Sequence, residues 1–256
     1  MVTDTKAGGF AGWLRDFEEQ ARARAAAGDP EWARGARLEP CVVRSLQRFQ
    51  VGEDGDGAFL IGKAERAGDA EYAAAVRLFI AEEQNHARML GRLLDAAGAG
   101  TIGAHWSDAI FVRARRAMGL RVELMVLLVA EVIALGFYRA LYEGAGDPLA
   151  AEVAGRLLAD ERRHVPFHCR RMRQGLERVP RPLRAAALLA WRAAVAGGAL
   201  IIVADHGRAL RRLGRGRARF VRDVLAEARA AAAEISRPPG RGAWPRRRRP
   251  GRRPGR

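Results

Sequence analysis

Apolar residues recur every three or four positions along most of the chain, which is the period of an α-helix. No stretch of the sequence shows the apolar–polar alternation of a half-buried β-strand. The pattern predicts helices at 10–27, 40–66, 70–96, 107–117, 120–143, 148–177, 183–212 and 217–235, of which the one at 107–117 is short. The sequence therefore predicts an all-α fold.

Two turns between long helices carry the same helix-ending and helix-starting residues. Gly68 ends one helix and Asp69 caps the next, and Gly146 and Asp147 occupy the same positions in the second turn. Pro148 then takes the first helical position, where the missing N–H costs least. Each turn therefore predicts a helical hairpin.

The predicted helix 40–66 contains an unusual group of glycines. Gly52, Gly55 and Gly57 lie near its middle. Each glycine inside a helix costs about 1 kcal/mol relative to alanine. We therefore expect that this helix needs space there, or a bend.

Positive charge is concentrated at the C-terminal end. The 256 residues carry a net charge of +16, and residues 237–256 contain nine Arg and no acid, so the other 236 residues carry +7. We expect this Pro-, Gly- and Arg-rich tail to be disordered. Binding of nucleic acid or another polyanion by the tail is a weaker alternative, because it has a single aromatic residue, Trp244.

Cysteine usage and apolar runs favour a cytoplasmic protein without a membrane span. Cys41 and Cys169 make no disulfide framework, and residues 1–9 lack a signal pattern. The apolar runs 122–138 and 183–204 each contain two charged residues. Charges within such runs are more typical of buried bundle helices than of membrane spans.

The chain contains two Glu-x-x-His motifs, each in the middle of a predicted helix. The pairs are Glu83 with His86 and Glu161 with His164. Three residues is close to one helical turn, so the carboxylate and the imidazole project from the same face. This spacing allows both side chains to bind one metal ion or a close pair.

Each motif has a glutamate thirty residues upstream, on the preceding helix. Glu53 precedes Glu83, Glu131 precedes Glu161, and the second unit follows the first at a constant offset of 78 residues. The chain therefore contains a duplicated helical hairpin. At about 1.5 Å per residue, the two glutamates of each hairpin lie at the same height, so two packed hairpins bring four Glu and two His together.

Four buried carboxylates are costly unless cations or protons offset their charge. Two divalent ions would balance the four negative charges. Oxygen and imidazole nitrogen donors suit iron, with manganese as an alternative, better than the thiolate sets that zinc prefers.

One Glu from each of two helices, together with Glu-x-x-His from two others, resembles the ferritin-like di-iron carboxylate superfamily of rubrerythrins, ferritins and di-iron oxygenases. The resemblance covers about 40–178 and implies an antiparallel four-helix bundle with additional N-terminal and C-terminal helices. It divides the chain into an N-terminal helical segment at 1–38, the di-iron bundle at 39–178, further helices packed on the bundle at 179–236, and the tail at 237–256.

The resemblance also implies roles for individual residues. One iron would be held by Glu53, Glu83 and His86, and the other by Glu131, Glu161 and His164, with Glu83 and Glu161 bridging both. No catalytic residue beyond these ligands is implied. The acid before each motif would hydrogen-bond the opposite histidine, which pairs Asp160 with His86 and Glu82 with His164.

Three further positions allow two interpretations each. His168 lies one turn beyond His164 and could be an additional ligand, although a packed core histidine is the favoured interpretation. Tyr138 lies on the face of Glu131, where a core tyrosine is favoured over a redox role. Asp205 and His206 are interpreted as a structural hydrogen-bonded pair, with a metal role as the alternative.

The favoured function is an oxidoreductase that activates O2 to oxidise a small, hydrophobic substrate, with an unknown electron donor and as a possible homodimer. Space beside the irons is expected from Gly52, Gly55, Gly57 and Gly136, and an apolar wall from Phe49, Phe79, Leu127 and Leu128. The alternatives are a ferroxidase, iron-handling or peroxide-scavenging protein, and a binding protein that uses its tail on DNA.

Overall fold

The computed structural model describes residues 9–104 and 119–237, and all its regular elements in these ranges are helices. The α-helices are α1 (Gly9–Ala27), α2 (Pro40–Glu53), α3 (Ala58–Arg66), α4 (Ala70–Ala96), α5 (Leu120–Gly144), α6 (Pro148–Leu176), α7 (Arg181–Asp205), α8 (Gly207–Arg212) and α9 (Arg217–Ser236), with a 3₁₀ turn at Trp32–Arg34. The all-α prediction is confirmed. The short helix expected at 107–117 and the tail from residue 238 onwards lie outside the described residues.

The two predicted hairpin turns have the same geometry. Gly68 and Gly146 adopt left-handed backbone conformations with φ of 76° and 66°. Asp69 and Asp147 each cap the next helix, where a side-chain oxygen accepts a 2.9 Å hydrogen bond from the backbone N–H three residues on. The sequence repeat therefore corresponds to a structural repeat at these turns.

The predicted helix 40–66 is wrong as a single helix, because it is interrupted between α2 and α3. Gly57 caps α3 in a left-handed conformation with φ of 63°. A Cβ at Gly57 would come within 2.5 Å of the Ile80 side chain on α4. The chain therefore breaks at a glycine that allows both the turn and the close approach.

The predicted helix 183–212 is likewise two helices. α7 ends at Asp205, and α8 begins at Gly207 after His206. The helix is continuous through Gly197 and Gly198, where Gly198 leaves room for Ile133 of α5. The junction at His206 has a tertiary cause, since its imidazole hydrogen-bonds Ser45 of α2.

The helices assemble as two hairpins and an outer layer. α5 packs on α6, α2 and α3 pack on α4, and α4 contacts α6 across the centre. α1 covers α4, while α7 and α9 pack against each other and on the α5–α6 hairpin. The apolar run 122–138 is largely buried within α5, and its Glu123 pairs with Lys63 at 2.7 Å.

α7 differs from the other long helices in its burial. Among the described residues it is the one helix long and apolar enough to cross a membrane, judged by length and composition alone, and 28% of its most apolar window is buried. Its core side carries Trp191, Val195 and Ala199. Its opposite side exposes large apolar side chains to solvent.

Candidate metal centre

Four helices bring the six predicted ligands together at one level of the bundle. Glu53 is the last residue of α2, and Glu131 lies in the middle of α5. α4 and α6 supply the two Glu-x-x-His motifs. Two groups form, and within each group one ligand atom per residue lies within 4.8 Å of all the others: Glu53, Glu83, His86 and Glu161, and Glu83, Glu131, Glu161 and His164.

The first group centres on His86. Its Nδ1 atom lies 3.5 Å from a carboxylate oxygen of Glu83, 3.5 Å from one of Glu161 and 4.0 Å from one of Glu53. The imidazole is completely buried. One nitrogen therefore faces three carboxylates at distances that leave room for an ion between them.

The second group repeats this arrangement around His164. Its Nδ1 atom lies 3.2 Å from Glu83, 3.5 Å from Glu131 and 3.7 Å from Glu161. Glu83 and Glu161 thus belong to both groups. This is the position that bridging ligands between two metal ions would occupy.

The other nitrogen of each histidine bonds an acid on the opposite hairpin. Nε2 of His86 lies 3.1 Å from Asp160, and Nε2 of His164 lies 2.9 Å from Glu82. A carboxylate can only accept here, so Nε2 carries the proton that is donated. The Nδ1 lone pair of a neutral imidazole is then free to bind a metal ion.

Two arginines that the sequence analysis missed complete this outer layer. Arg163 pairs with Glu82 at 2.9 Å and with Asp160 at 2.8 Å, while Arg24 of α1 reaches Glu82 at 2.7 Å. Arg163 lies three residues after Asp160, a spacing that favours contact on a helix. Nothing in the spacing of Arg24 indicates its partner, since the contact depends on how α1 docks.

Several atoms of the cluster lack hydrogen-bond partners among the described residues. They are Nδ1 of both histidines and one oxygen each of Glu83, Glu131 and Glu161. Leaving a buried polar atom unsatisfied costs about 1–3 kcal/mol. All five atoms face one another, so bound cations would satisfy them together. The donor set therefore fits two metal ions.

Protonation of the cluster shows how its negative charge is balanced without metal. Burial, reinforced by neighbouring carboxylates, raises the pKa values of Glu53 and Glu131. Burial would also raise the pKa of Glu161, but the two histidines beside it lower that pKa. Burial would lower the pKa values of His86 and His164, yet their carboxylate partners raise them. These directions show that the arrangement of the carboxylates favours positive charge among them, as protons or as cations.

Tyr138 is buried beside the cluster and also bonds one of its members. Its hydroxyl group donates a 2.5 Å hydrogen bond to Glu53. Burial raises the pKa of Tyr138, and the charge of the neighbouring Glu53 raises it further. The favoured prediction of a core tyrosine accounts for its burial but not for this contact.

His168 is a buried histidine that belongs to neither metal group. Its ring meets Phe79 edge-on at 4.7 Å, and neither ring nitrogen has a hydrogen-bond partner within the described chain. Burial lowers its pKa to about 3. These observations match the core histidine that the sequence favoured.

Asp205 and His206 have structural partners outside the metal groups. Asp205 pairs with Arg48 at 2.6 Å, and His206 Nδ1 lies 2.5 Å from the hydroxyl oxygen of Ser45. Nε2 of His206 lies 3.4 Å from its neighbour Asp205. Both residues therefore tie the end of α7 to α2.

A pocket of about 250 Å³ leads to the cluster between α2, α5 and α7. All four glutamates of the two metal groups line it, namely Glu53, Glu83, Glu131 and Glu161. Of the residues expected to form this space, Gly52, Phe49 and Leu127 line it, whereas Gly55, Gly57, Gly136, Phe79 and Leu128 are not among its lining residues. Gly136 instead makes room for Val224 and Phe220 of α9. The remaining walls are mostly apolar.

No family model matches the sequence, and no curated protein or solved structure matches it either. The structure shows an all-helical protein with a buried Glu/His cluster that could hold metal ions. The identity of the metal and the reaction are proposals that build on this geometry.

Proposed function

We propose that the protein is a non-haem di-iron oxidoreductase that uses O2 to oxidise a small, apolar organic substrate. The observation that carries the proposal is the arrangement of the cluster. Two imidazole nitrogens and three carboxylate oxygens are buried without hydrogen-bond partners in the part of the chain that the structure describes, and an apolar pocket opens onto the same carboxylates. A metal centre explains the first feature, and a substrate explains the second.

The ligand set favours iron, with manganese as the alternative. All first-layer donors are carboxylate oxygens or imidazole nitrogens. One ion would be held by Glu53, Glu83, His86 and Glu161, and the other by Glu83, Glu131, Glu161 and His164. Four carboxylates would balance the charge of two divalent ions, so the buried site would be close to neutral.

Two ferrous ions, when bound, would supply electrons for the reduction of O2. The residues of the chain would position and protect this chemistry. Asp160 and Glu82 hold the histidine rings in the orientation that exposes Nδ1 to the cluster. Tyr138 holds a proton on its hydroxyl group against Glu53. The apolar walls from Phe49 and Leu127 would exclude water and favour an apolar substrate.

Turnover would need an external electron donor, which fits the reducing cytoplasm expected from the cysteine content. Cys41 and Cys169 are free thiols here. A homodimer remains part of the proposal as a possible assembly. Polyanion binding by the Arg-rich tail is a separate and weaker proposal.

Iron oxidation for handling or storage, or for peroxide removal, is the second candidate function. It is favoured by the partial exposure of the Glu53 and Glu83 side chains, which are 10% and 15% accessible. Ferrous ions could reach the cluster there. The apolar lining of the pocket argues for an organic substrate instead, because an ion path is normally polar.

The test begins with metal analysis of purified protein reconstituted with Fe(II) without oxygen, followed by O2 addition. We expect two irons per chain and oxidation of both. The double variant Glu83→Ala/His164→Ala should lose the metal but keep its helix content, whereas His168→Ala should still bind two ions.

Two outcomes separate the candidates. Uptake that continues far beyond two irons per chain would favour storage over oxidation of a substrate. Absence of transition-metal binding by the wild-type protein would contradict both functions, since each depends on the same cluster.

A further inference from the structure

The outer face of α7 is a continuous apolar surface on the outside of the protein. Residues spaced at helical intervals are exposed along its length: Leu183, Leu189, Ala190, Ala193, Leu200 and Ile201. The large ones are exposed to between 49% and 67%. α7 has 25 residues and is therefore about 37 Å long at 1.5 Å per residue. Its exposed apolar residues follow this length on one face, unlike the single exposed apolar residues found on most protein surfaces.

The charges around this apolar face are almost all positive. Residues 177–219, which contain α7, its flanking turns, α8 and the start of α9, include ten Arg and two acids, Glu177 and Asp205. Asp205 pairs with Arg48, and Arg212 and Arg215 also pair with acids. Arg181 and Arg192 are exposed on α7 itself, and Arg208 and Arg211 are exposed just beyond it.

This charge distribution decides between the possible occupants of the face. A second copy of the chain would bring two arginine-rich borders together, which is unfavourable. An anionic lipid surface would instead attract the arginines while the acyl region receives the apolar side chains. Helices with an apolar face and a basic border typically lie in the interface of such membranes.

We propose that the outer face of α7 docks the protein on an anionic membrane surface. The helix lies in the plane of the interface, with its core side still packed on α5 and α9. It does not cross the bilayer, because Trp191, Val195 and Ala199 are buried against the protein.

The pocket reaches this same surface. Gly198, Ile201 and Ile202 of α7 line the pocket, and Ile201 is also 49% exposed on the outer side. Docking therefore places the pocket mouth at the bilayer surface. If the proposed oxidoreductase function holds, its substrate is a lipid-soluble molecule drawn from the membrane.

The experiment measures flotation of the full chain with phosphatidylcholine vesicles that do or do not contain phosphatidylglycerol. We expect binding to the anionic vesicles. The variant Leu189→Gln/Leu200→Gln removes apolar surface without changing charge and should lower the partition coefficient about tenfold or more. Residues 237–256 are identical in the wild type and in every variant. Attraction of their arginines to the vesicles therefore cancels when the partition coefficients of two proteins are compared.

The matched control is Phe59→Gln/Tyr142→Gln, which removes two exposed large apolar residues outside α7. It should bind like the wild type. Equal vesicle binding by the α7 variant, or absence of binding by the wild type, would overturn the proposal. A dimer in sedimentation velocity that the α7 variant abolishes, without vesicle binding, would overturn it in favour of a second copy.

Metal-free protein should bind vesicles as well as the reconstituted protein. Vesicle binding is therefore expected to be independent of metal binding and of the reaction with O2. Loss of both metal binding and oxidation would leave docking unaffected, while loss of docking would leave the two-iron stoichiometry unaffected.

Discussion

Asp160 lies one layer outside the Glu/His cluster and contacts one of its histidines, His86. Burial would raise its pKa, but the hydrogen bond from His86 and the nearby positive charges hold that pKa at about 2. Its negative charge therefore faces Nε2 of His86 at ordinary pH. That charge makes the imidazole a stronger metal ligand and fixes its orientation.

The variant Asp160→Asn should weaken metal binding without unfolding the protein. Loss of an outer carboxylate of this kind costs about 10- to 100-fold in metal affinity. The measurement is competitive Mn(II) titration against a chelating dye. Asp95→Asn, an exposed change on α4, is the control and should have the wild-type affinity. Equal affinities for both variants would show that Asp160 does not support the site.

His168 should make folding stability dependent on pH. Its pKa is about 3 in the folded protein because of burial, against about 6.5 in an unfolded chain. Between these values the unfolded chain binds a proton that the folded protein does not. Stability contributed by the neutral ring is therefore complete above pH 6.5 and falls as the pH drops.

The expected loss from His168 is about 2 kcal/mol between pH 6.5 and pH 5, at about 1.4 kcal/mol per pH unit. Urea unfolding of metal-free wild type and His168→Leu at pH 7 and pH 5 measures it. The variant should lose less stability on acidification than the wild type. The wild type and the variant have all other titrating groups in common. Identical losses of stability in the two proteins would therefore show that the His168 ring is not held neutral.

The convergence of the six Glu and His side chains could be predicted because a repeat of 78 residues relates them, and helical periodicity puts each motif on one face. The bonds of Asp160 and Glu82 to the histidines follow from the same symmetry. The roles of Arg24 and Tyr138 could not be predicted. They depend on how α1 and α5 dock, and local sequence spacing contains no information about that.

At the scale of elements, helix ends were predictable wherever a local cap determined them. α4 runs from Ala70 to Ala96 as predicted, since Asp69 caps its start. The glycines at 52, 55 and 57 indicated a bend, and the chain breaks there at Gly57, which adopts a left-handed conformation. The break at His206 was not predicted, and there the imidazole bonds Ser45 of α2. Periodicity continues across both breaks, so a pattern alone predicts longer helices.

Two helix glycines, one at a tight contact and one in open space, should respond in opposite ways to substitution. A Cβ at Gly144 would lie 2.1 Å from the backbone oxygen of Leu213, which cannot move aside like a flexible side chain. Gly144→Ala should therefore destabilise the protein by about 2 kcal/mol or more. Gly197 meets no atom of the described residues within 4 Å, so Gly197→Ala should stabilise α7 by up to about 1 kcal/mol.

Urea unfolding monitored by circular dichroism measures both glycine variants against the wild type. The Gly197 variant is the matched control, because it makes the same chemical change inside a helix. Destabilisation of similar size in both would show that the contact between α5 and the segment after α8 is not tight.

At the scale of the whole molecule, the pocket combines surfaces from separate parts of the chain. Phe49 and Leu127 lie in its wall as expected, while Phe79 and Leu128 are not among its lining residues. The final wall comes from α7, whose docking determines which residues of α2 and α5 remain accessible. The sequence predicts an apolar space beside the cluster, but it contains no signal for the orientation of the outer helix α7.

The cluster joins four helices, so metal binding should stabilise the whole fold. The unpartnered atoms of α4, α5 and α6 converge there, together with Glu53 of α2. A ligand that binds only the folded state at about 100 times its dissociation constant adds about 2.7 kcal/mol per site. Urea unfolding with Mn(II) and with chelator should show this difference in the wild type. Glu83→Ala/His164→Ala should unfold identically in both conditions, because the bridging carboxylate and one imidazole are missing. Stabilisation of that variant by Mn(II) to the same extent would place the metal elsewhere and contradict the assignment of the cluster.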